Sequence, residues 1–492
     1  MLNKKLNFSI LKTEALAGLV VGFAIIPEAI AFSLIAGVSP QVGIYASICI
    51  LLVNSIAGGR RALISAATGA MALVMVTLVK NYGIDYLLLA GILAGLIQIL
   101  FAFLKIAKLM SYIPRSVMIA FVNALAILIF AAQLDEIRLF NLNALIVFIV
   151  ALAIIYLFPL VPKIGKILPS SLLAIVLLTI LSICFDFDVR SIKDLGELPS
   201  SLPSFLLPNV PLNLETLKII FPYSLSLAIV GIVESLMTSS VLDEITASKS
   251  NKNRECIGQG ISNIVANLFG GMAGCGMIGQ SIINVKSGAR TRISTFLAGF
   301  YLCLIILFFA DFVNEIPMAV LVAIMTMVSI GTFDFSSIKK LKSNPFSYNF
   351  VMLSSMFITL YSHNLALGVV TGVILEALFF VNKLSSFLYC KKIINNDIIT
   401  YEFSGQIFFK STEKLYSEFD FVNIYKSVII DVSKAHIWDL SAIYNLDKII
   451  LKLRQNGSKV QLLGLNEASA SMLDKFSVIN NEKESKKLLG GH

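Results

Sequence analysis

Histidine and tryptophan are scarce: 492 residues hold three histidines and one tryptophan. His363, His436 and His492 lie far apart, so their spacing builds no metal constellation. Cysteine is sparse as well. Cys49, Cys184, Cys256, Cys275, Cys303 and Cys390 form no CxxC pair. Most sit in apolar stretches, where a buried free thiol is the simple reading. Charged residues make up only 14% of the chain against 57% hydrophobic, and mean hydropathy is +0.85. A soluble core stops growing at roughly 250–300 residues, so lipid must cover the remaining apolar surface. No basic patch interleaved with aromatics lies on a polar segment, which argues against a nucleic-acid partner. No nucleophile–base pair or phosphate loop stands out, so an enzyme is not expected.

What is abundant is long apolar runs, from Leu16 to about Val381. Their centres fall near residues 25, 50, 73, 95, 125, 150, 176, 228, 263, 282, 301, 322, 354 and 373, which makes fourteen segments. The first run continues past the length of a signal-peptide core without a small-residue cleavage context, so it reads as a membrane helix. The segments near 73 and 282 are too short to cross a bilayer core of about 30 Å, and each begins in a small-residue, non-helical stretch.

Charge orients the chain. The net charge of +9 gathers in alternate loops. One set holds Lys4, Lys5 and Lys12; Arg60 and Arg61; Lys105, Lys108 and Arg115; Lys163 and Lys166; Lys249, Lys252 and Arg254; Arg290 and Arg292; and Lys339, Lys340 and Lys342. The other set holds mostly acids: Asp85, Asp135, Glu136, Asp186, Asp188, Asp194, Glu197, Asp311 and Glu315. The positive-inside bias then places both termini in the cytoplasm and makes the segment count even.

The polar stretch Phe185–Thr216, with Pro203, Pro208 and Pro211, separates two similar halves, about 13–184 and 217–382. Each opens on a helix with a carboxylate inside its apolar run, Glu28 in one and Glu234 in the other. Each has its short third segment after a small-residue loop, Ile64–Ala70 or Gly270–Gly276. Seven segments is an odd number, so the second half is expected to run inverted. Paired interrupted segments point to a transporter binding site.

Beyond residue 388, polar and apolar residues mix. Phe403–Phe409 alternates like a strand, Ser427–Val432 and Lys459–Gly464 read as strands, and Ala442–Gln455 and Ala468–Lys475 as helices. This pattern predicts a small α/β domain over 397–480 with a partly parallel sheet, and a disordered tail over 481–492.

Two interrupted helices meeting at mid-membrane aim backbone N–H groups and positive dipole ends at one point, an anion site without a charged side chain. The candidate donors are Thr68, Gly69 and Ala70, and Gly276, Met277, Ile278 and Gly279. The same small residues also suit close helix packing. Glu234 is an intramembrane carboxylate, hence a functional candidate, and Thr238 lies on its face one turn on. The pair suits sodium, the carboxylate alone suits a proton, and a packing hydrogen bond is the plain alternative. Glu28 follows Pro27 at an expected break of the first helix, where it faces the same cavity or caps freed backbone. Ser441 precedes the helix from Ala442 and either caps it or offers a phosphorylation point.

These stretches resemble the SulP family of anion transporters. The resemblance is carried by Ala17–Ala31, Gly37–Tyr45, Asn253–Asn263 and Asn284–Ser294, with a C-terminal segment similar to a STAS domain. It implies an all-α membrane domain over 1–388, a seven-plus-seven inverted repeat with core and gate parts moving in an elevator-like cycle, followed by a cytoplasmic α/β STAS domain. It implies a multi-pass protein of the cell (inner) membrane, a homodimer, and a possible cytoplasmic protein partner at STAS. No cofactor is implied beyond co-transported Na+ or H+. The sodium-bicarbonate branch of the family maps its sodium ligands onto Glu234 and Thr238, with Gly276 as a further ligand, and its anion contacts onto Thr68, Gly276, Met277 and Ile278. Many members carry arginine where this chain has Gln280. That departure argues for a monovalent anion such as bicarbonate, or for a co-transported cation that supplies charge. Proton-coupled sulfate or dicarboxylate transport is the alternative, with an anion channel or STAS-linked sensor as a different class. Where the family's STAS domains have glycine after the serine, this chain has Ala442, which weakens the phosphoserine analogy.

Overall fold

The computed structural model describes residues 8–108, 113–161, 170–185, 187–195 and 201–479. Lys4, Lys5, Lys163, Lys166, Asp186, Glu197 and the tail 481–492 lie outside these residues. The chain forms two compact units, Met1–Val373 and Ile374–His492, divided within one helix.

In chain order the first stretch is built from α1 (Phe8–Ala36), α2 (Pro40–Ala57), β1 (Ser65–Ala67), α3 (Gly69–Tyr82), α4 (Ile84–Phe103), α5 (Arg115–Arg138), α6 (Leu142–Leu157) and α7 (Ser170–Phe185). There follow α8 (Leu214–Thr246), α9 (Lys252–Leu268), β2 (Gly274–Gly276), α10 (Ile278–Lys286), α11 (Ile293–Asn314), α12 (Met318–Thr332), α13 (Phe335–Lys339), α14 (Phe346–Ser362) and α15 (Leu365–Ser386). Each of the fourteen expected centres falls inside a helix; the short α13 was not anticipated. Prolines mark several starts: Pro40 is the first residue of α2, and Pro114, Pro317 and Pro345 cap α5, α12 and α14. A ring with fixed φ and no N–H costs nothing there, because first-turn donors have no helical acceptor anyway. Among the described residues, eight helices are long and apolar enough to cross a membrane.

The expected break at Pro27 is absent. Helix α1 runs continuously through it. Packed neighbours hold a membrane helix together around an interior proline, and Ile25, Ala29 and Ile30 are fully buried on either side.

The helices pack in two groups. α1–α4 interlock with α8–α11, while α5–α7 pack with α12 and α14. Within the first group, α4 and α9 approach through paired glycines. A Cβ on Gly95 would meet the Gly260 carbonyl at 2.6 Å, and one on Gly260 would meet the Gly95 carbonyl at 2.6 Å. Small residues let membrane helices touch backbone to backbone. The two interrupted segments meet directly: β1 and β2 pair antiparallel, with Ser65 opposite Gly276, Ala66 opposite Cys275 and Ala67 opposite Gly274. A Cβ on Gly274 would collide with the Ala66 carbonyl. The packing role weighed for these small residues is therefore real at Gly274.

The second stretch holds β3 (Tyr389–Asn395), β4 (Ile398–Ile407), α16 (Thr412–Ser417), β5 (Ser427–Ile437), α17 (Leu440–Gln455), β6 (Lys459–Leu463) and α18 (Glu467–Phe476). The sheet runs β3-β4-β5-β6, antiparallel at β3–β4 and parallel thereafter. Ile399, Tyr401 and Phe403 of β4, with Val428, Ile430 and Val432 of β5, alternate inward onto Ile443, Leu446 and Ile450 of α17. That period-two pattern is what made these strands readable. β3 precedes residue 397 and is mostly exposed, so it carries no such signal.

Candidate anion and cation site

The β1–β2 pair brings the starts of α3 and α10 to one place, beside α8. Thr68 caps α3: its Oγ1 accepts from the Met71 N–H at 3.4 Å. The same Oγ1 lies 3.0 Å from Cys275 Sγ. The Cys275 thiol donates to Glu234 Oε2 at 2.9 Å. A hydroxyl–thiol–carboxylate chain thus joins the third, tenth and eighth segments, and all three residues are buried.

One turn beyond Glu234, the Thr238 hydroxyl lies 2.8 Å from the Glu234 carbonyl and 3.1 Å from the Gly276 carbonyl. It has one hydrogen to share between these carbonyls and two lone pairs free to accept or to coordinate. The hydroxyl, the Gly276 carbonyl and the nearby carboxylate are hard oxygen donors of the kind that hold small hard cations.

The anion donors are fewer than expected. The Gly276 N–H donates to Ser235 Oγ at 2.8 Å, and the Met277 N–H to the Ile64 carbonyl at 2.8 Å. Those two groups serve the scaffold rather than a ligand, because the β1–β2 pair continues past Gly276 onto Ile64. Ile278, Gly279 and Gln280 form the first turn of α10, whose N–H groups have no acceptor within the helix. A Cβ on Gly279 would meet no atom within 4 Å, so this end of α10 is open. At α3, Gly69 and Ala70 occupy the first turn, but Gly69 is close-packed: a Cβ there would meet Phe32 at 2.9 Å and Ile129 at 3.0 Å. Phe32 belongs to α1 and Ile129 to α5, so α3 begins where the two helix groups touch.

Glu28 accepts a hydrogen bond from Gln280 Nε2. It stands beside the open turn of α10 rather than in the Glu234 chain, and both partners are buried. None of the side chains joined in these two clusters is positively charged.

Two residues carry more than the sequence assigned them. Cys275, read as an inert buried thiol, is the link between Thr68 and Glu234. Its signal was its place between two glycines in the Gly270–Gly276 loop. Glu255, for which no role was assigned, is fully buried and is linked to β1 through two amides. Its Oε1 accepts from Asn54 Nδ2 at 3.1 Å and Gln259 Nε2 at 2.9 Å, and both amides also reach Ser65 Oγ.

In the second unit, Ser441 does not cap its helix. α17 starts at Leu440, two residues before the expected Ala442, and Asp439 is its cap, with Oδ1 accepting from the Ala442 N–H at 2.8 Å. Asp439 Oδ2 also accepts from the Phe409 N–H at 2.7 Å. Ser441 falls inside the first turn, past the cap position, and is exposed.

The sulfate permease family model matches residues 11–143 and 136–355, and the STAS domain model matches residues 389–484. The putative sulfate transporter YbaR of Bacillus subtilis is 48% identical over 470 residues, covering 96% of this chain and 98% of its own length. The bicarbonate transporter BicA of Picosynechococcus is 28% identical over 370 residues, 69% of this chain and 65% of that one. The solved transmembrane domain of a cyanobacterial BicA aligns with a TM-score of 0.65 at 26% identity, covering 75% of this chain and 99% of that one. Murine Slc26a9 in its inward-facing state shares the fold at a TM-score of 0.85 and 17% identity, covering 98% of this chain and 90% of that one. The chain is therefore a multi-pass membrane transporter of inorganic anions, not an enzyme, and belongs to the sulfate permease family with a C-terminal STAS domain.

Proposed function

We propose that this protein is a secondary active transporter that couples a small monovalent anion, bicarbonate, to sodium. The observation that carries the reading is the convergence of Glu234, Thr238 and the Gly276 carbonyl beside the open first turn of α10. The anion sits at that turn, held by the N–H groups of Ile278, Gly279 and Gln280 and by the start of α3 at Thr68, Gly69 and Ala70. Sodium sits between the Thr238 hydroxyl, the Gly276 carbonyl and the Glu234 carboxylate. Each ion then supplies the charge that the other lacks, since no cationic side chain joins either cluster. Binding of one raises affinity for the other by the same factor.

The two halves form an inverted seven-plus-seven repeat. The antiparallel β1–β2 pairing supports this, because equivalent elements related by an in-plane two-fold axis must run opposite ways. The group α1–α4 with α8–α11 is the moving core and the group around α5, α12 and α14 the gate, in a homodimer of the cell membrane with both termini cytoplasmic. The STAS domain regulates transport through a cytoplasmic partner, with exposed Ser441 as a point of modification.

A second reading, proton-coupled sulfate transport, is favoured by the name of the 48% identical relative, a putative sulfate transporter. Glu234 or Glu28 would then carry the proton. Uptake of labelled bicarbonate and sulfate into proteoliposomes, under a sodium or a proton gradient, separates the two. Bicarbonate uptake driven by sodium supports the first reading; sulfate uptake driven by protons alone replaces it.

A further inference from the structure

A cavity of about 530 Å³ opens among the loops α2–β1, α8–α9 and α10–α11, away from the ion site. It is lined by Arg60, Arg61, Lys249, Arg254, Arg290 and Arg292, with no acidic residue in its lining. Among the described residues, Arg60 alone of the six pairs with a carboxylate, Asp243 at 3.3 Å. Arg254 donates to the Ala57 and Ile56 carbonyls at 3.1 and 3.0 Å, Arg292 to the Ser55 carbonyl at 2.9 Å, and Arg290 to the Val285 carbonyl at 2.7 Å. Carbonyls fix where those guanidinium groups point without themselves supplying a counter-charge. Arg61 and Lys249 are exposed, with no hydrogen bond or ion pair among the described residues.

Nearby acids are committed elsewhere. Glu255 Oε2 accepts from the Gly59 and Arg60 N–H groups at 2.7 and 2.9 Å. Glu14 accepts from the Arg290, Thr291 and Ser294 N–H groups at 2.7, 2.9 and 3.1 Å. These carboxylates shape the loops from behind. A surface that only satisfied the positive-inside bias would scatter its cations in water. Here they converge on a concave site of ligand size, where a bound anion would relieve the repulsion among them.

We propose that this pocket binds a phosphate-bearing polyanion. Guanidinium forks match phosphate oxygens two at a time, and Arg61 and Lys249 supply the free arms that close on the ligand. The source is either a soluble di- or polyphosphate or a phospholipid headgroup. The site is placed to modulate transport. Glu255 holds the pocket wall through the Gly59 and Arg60 N–H groups, and through Asn54 and Gln259 it also holds Ser65, the first residue of β1.

The test reads binding rather than transport, so it stands apart from the substrate assignment. The full chain is titrated in detergent with inorganic pyrophosphate at fixed ionic strength. In parallel, its thermal unfolding midpoint is compared in phosphatidylcholine nanodiscs with and without phosphatidylglycerol. The comparison variant is Arg61→Gln/Lys249→Gln, with Lys249→Gln alone as a milder substitution should the double variant unfold. Wild type is expected to bind pyrophosphate, or to be stabilised by phosphatidylglycerol, and the arm that responds identifies the source. The double variant is expected to lose at least about tenfold in affinity, the equivalent of one charge-assisted contact. No response of wild type to either probe overturns the proposal, as does an equal response from the variant.

Discussion

The thiol of Cys275 donates to Glu234 Oε2 at 2.9 Å while its sulfur lies 3.0 Å from Thr68 Oγ1. One residue of the tenth segment therefore touches both the threonine at the start of α3 and the carboxylate of α8. Cys275→Ala removes the donor that orients Glu234 and leaves the buried carboxylate short of a partner. Sodium affinity is expected to fall by about five- to tenfold, on the order of one net hydrogen bond. Cys275→Ser keeps a donor at that position and is expected to recover most of it. Sodium titration of uptake in the two variants checks this; equal behaviour of alanine and serine would mean the thiol only fills space.

Gln280→Arg is expected to shift preference toward divalent anions, since a fixed positive charge in a low-dielectric site favours the more negative ligand. The structure adds a condition. Glu28 already accepts from Gln280 and would pair with the new guanidinium, cancelling part of its field. Glu28→Gln/Gln280→Arg should therefore shift selectivity further than Gln280→Arg alone. Competition between bicarbonate and sulfate measures both, and an unchanged ratio in the double variant would show that position 280 does not face the anion.

Two glycines of the tenth segment should respond in opposite ways. Gly274→Ala forces a Cβ onto the Ala66 carbonyl and pushes β2 off β1. Overpacking of this kind costs typically about 1–3 kcal/mol, so the unfolding midpoint falls. Gly279→Ala meets open space and gains helix propensity, so the midpoint holds or rises. Thermal unfolding of the solubilised protein distinguishes them, and equal destabilisation would argue against the packing described for Gly274.

In the STAS domain, Asp439→Ala is expected to cost about 1–2 kcal/mol, the usual loss for an N-cap, with the contact to the Phe409 N–H lost as well. Ser441→Ala should fall within about 0.5 kcal/mol of zero, as exposed sites do. Denaturant unfolding of the 389–479 segment measures both; a large effect at Ser441 would return the cap to the serine.

Much of the membrane fold was legible because apolar length and loop charge are strong, local signals. Among the described residues eight helices carry the length and apolarity outright, and the small-residue loops marked where α3 and α10 are interrupted. Pro27 misled because proline reads as a breaker from local sequence, whereas packing on both sides of α1 holds the helix. Gly276 and Met277 misled because sequence does not show which N–H groups the scaffold has already used. Cys275 was missed for the converse reason: its role depends on two residues at separations of 207 and 41 positions. In the STAS domain, β4 and β5 were visible through their alternation, while β3 is mostly exposed and carries none. Asp439 was missed as a cap because the helix was expected to start at Ala442, whereas α17 begins at Leu440.

Cation coupling at Glu234 is tested by sodium-driven uptake through Glu234→Gln. Glutamine keeps the size and one acceptor oxygen, so the helix packing around α8 is retained. It removes the negative charge that holds sodium. Bicarbonate uptake into proteoliposomes is measured with and without a sodium gradient, at matched incorporation, for wild type, Glu234→Gln and Thr238→Val. The gradient is expected to stimulate wild type, to have no effect on Glu234→Gln, and to stimulate Thr238→Val with sodium affinity weakened by about tenfold. Full sodium stimulation of Glu234→Gln would contradict it and leave Glu28 as the carboxylate to examine.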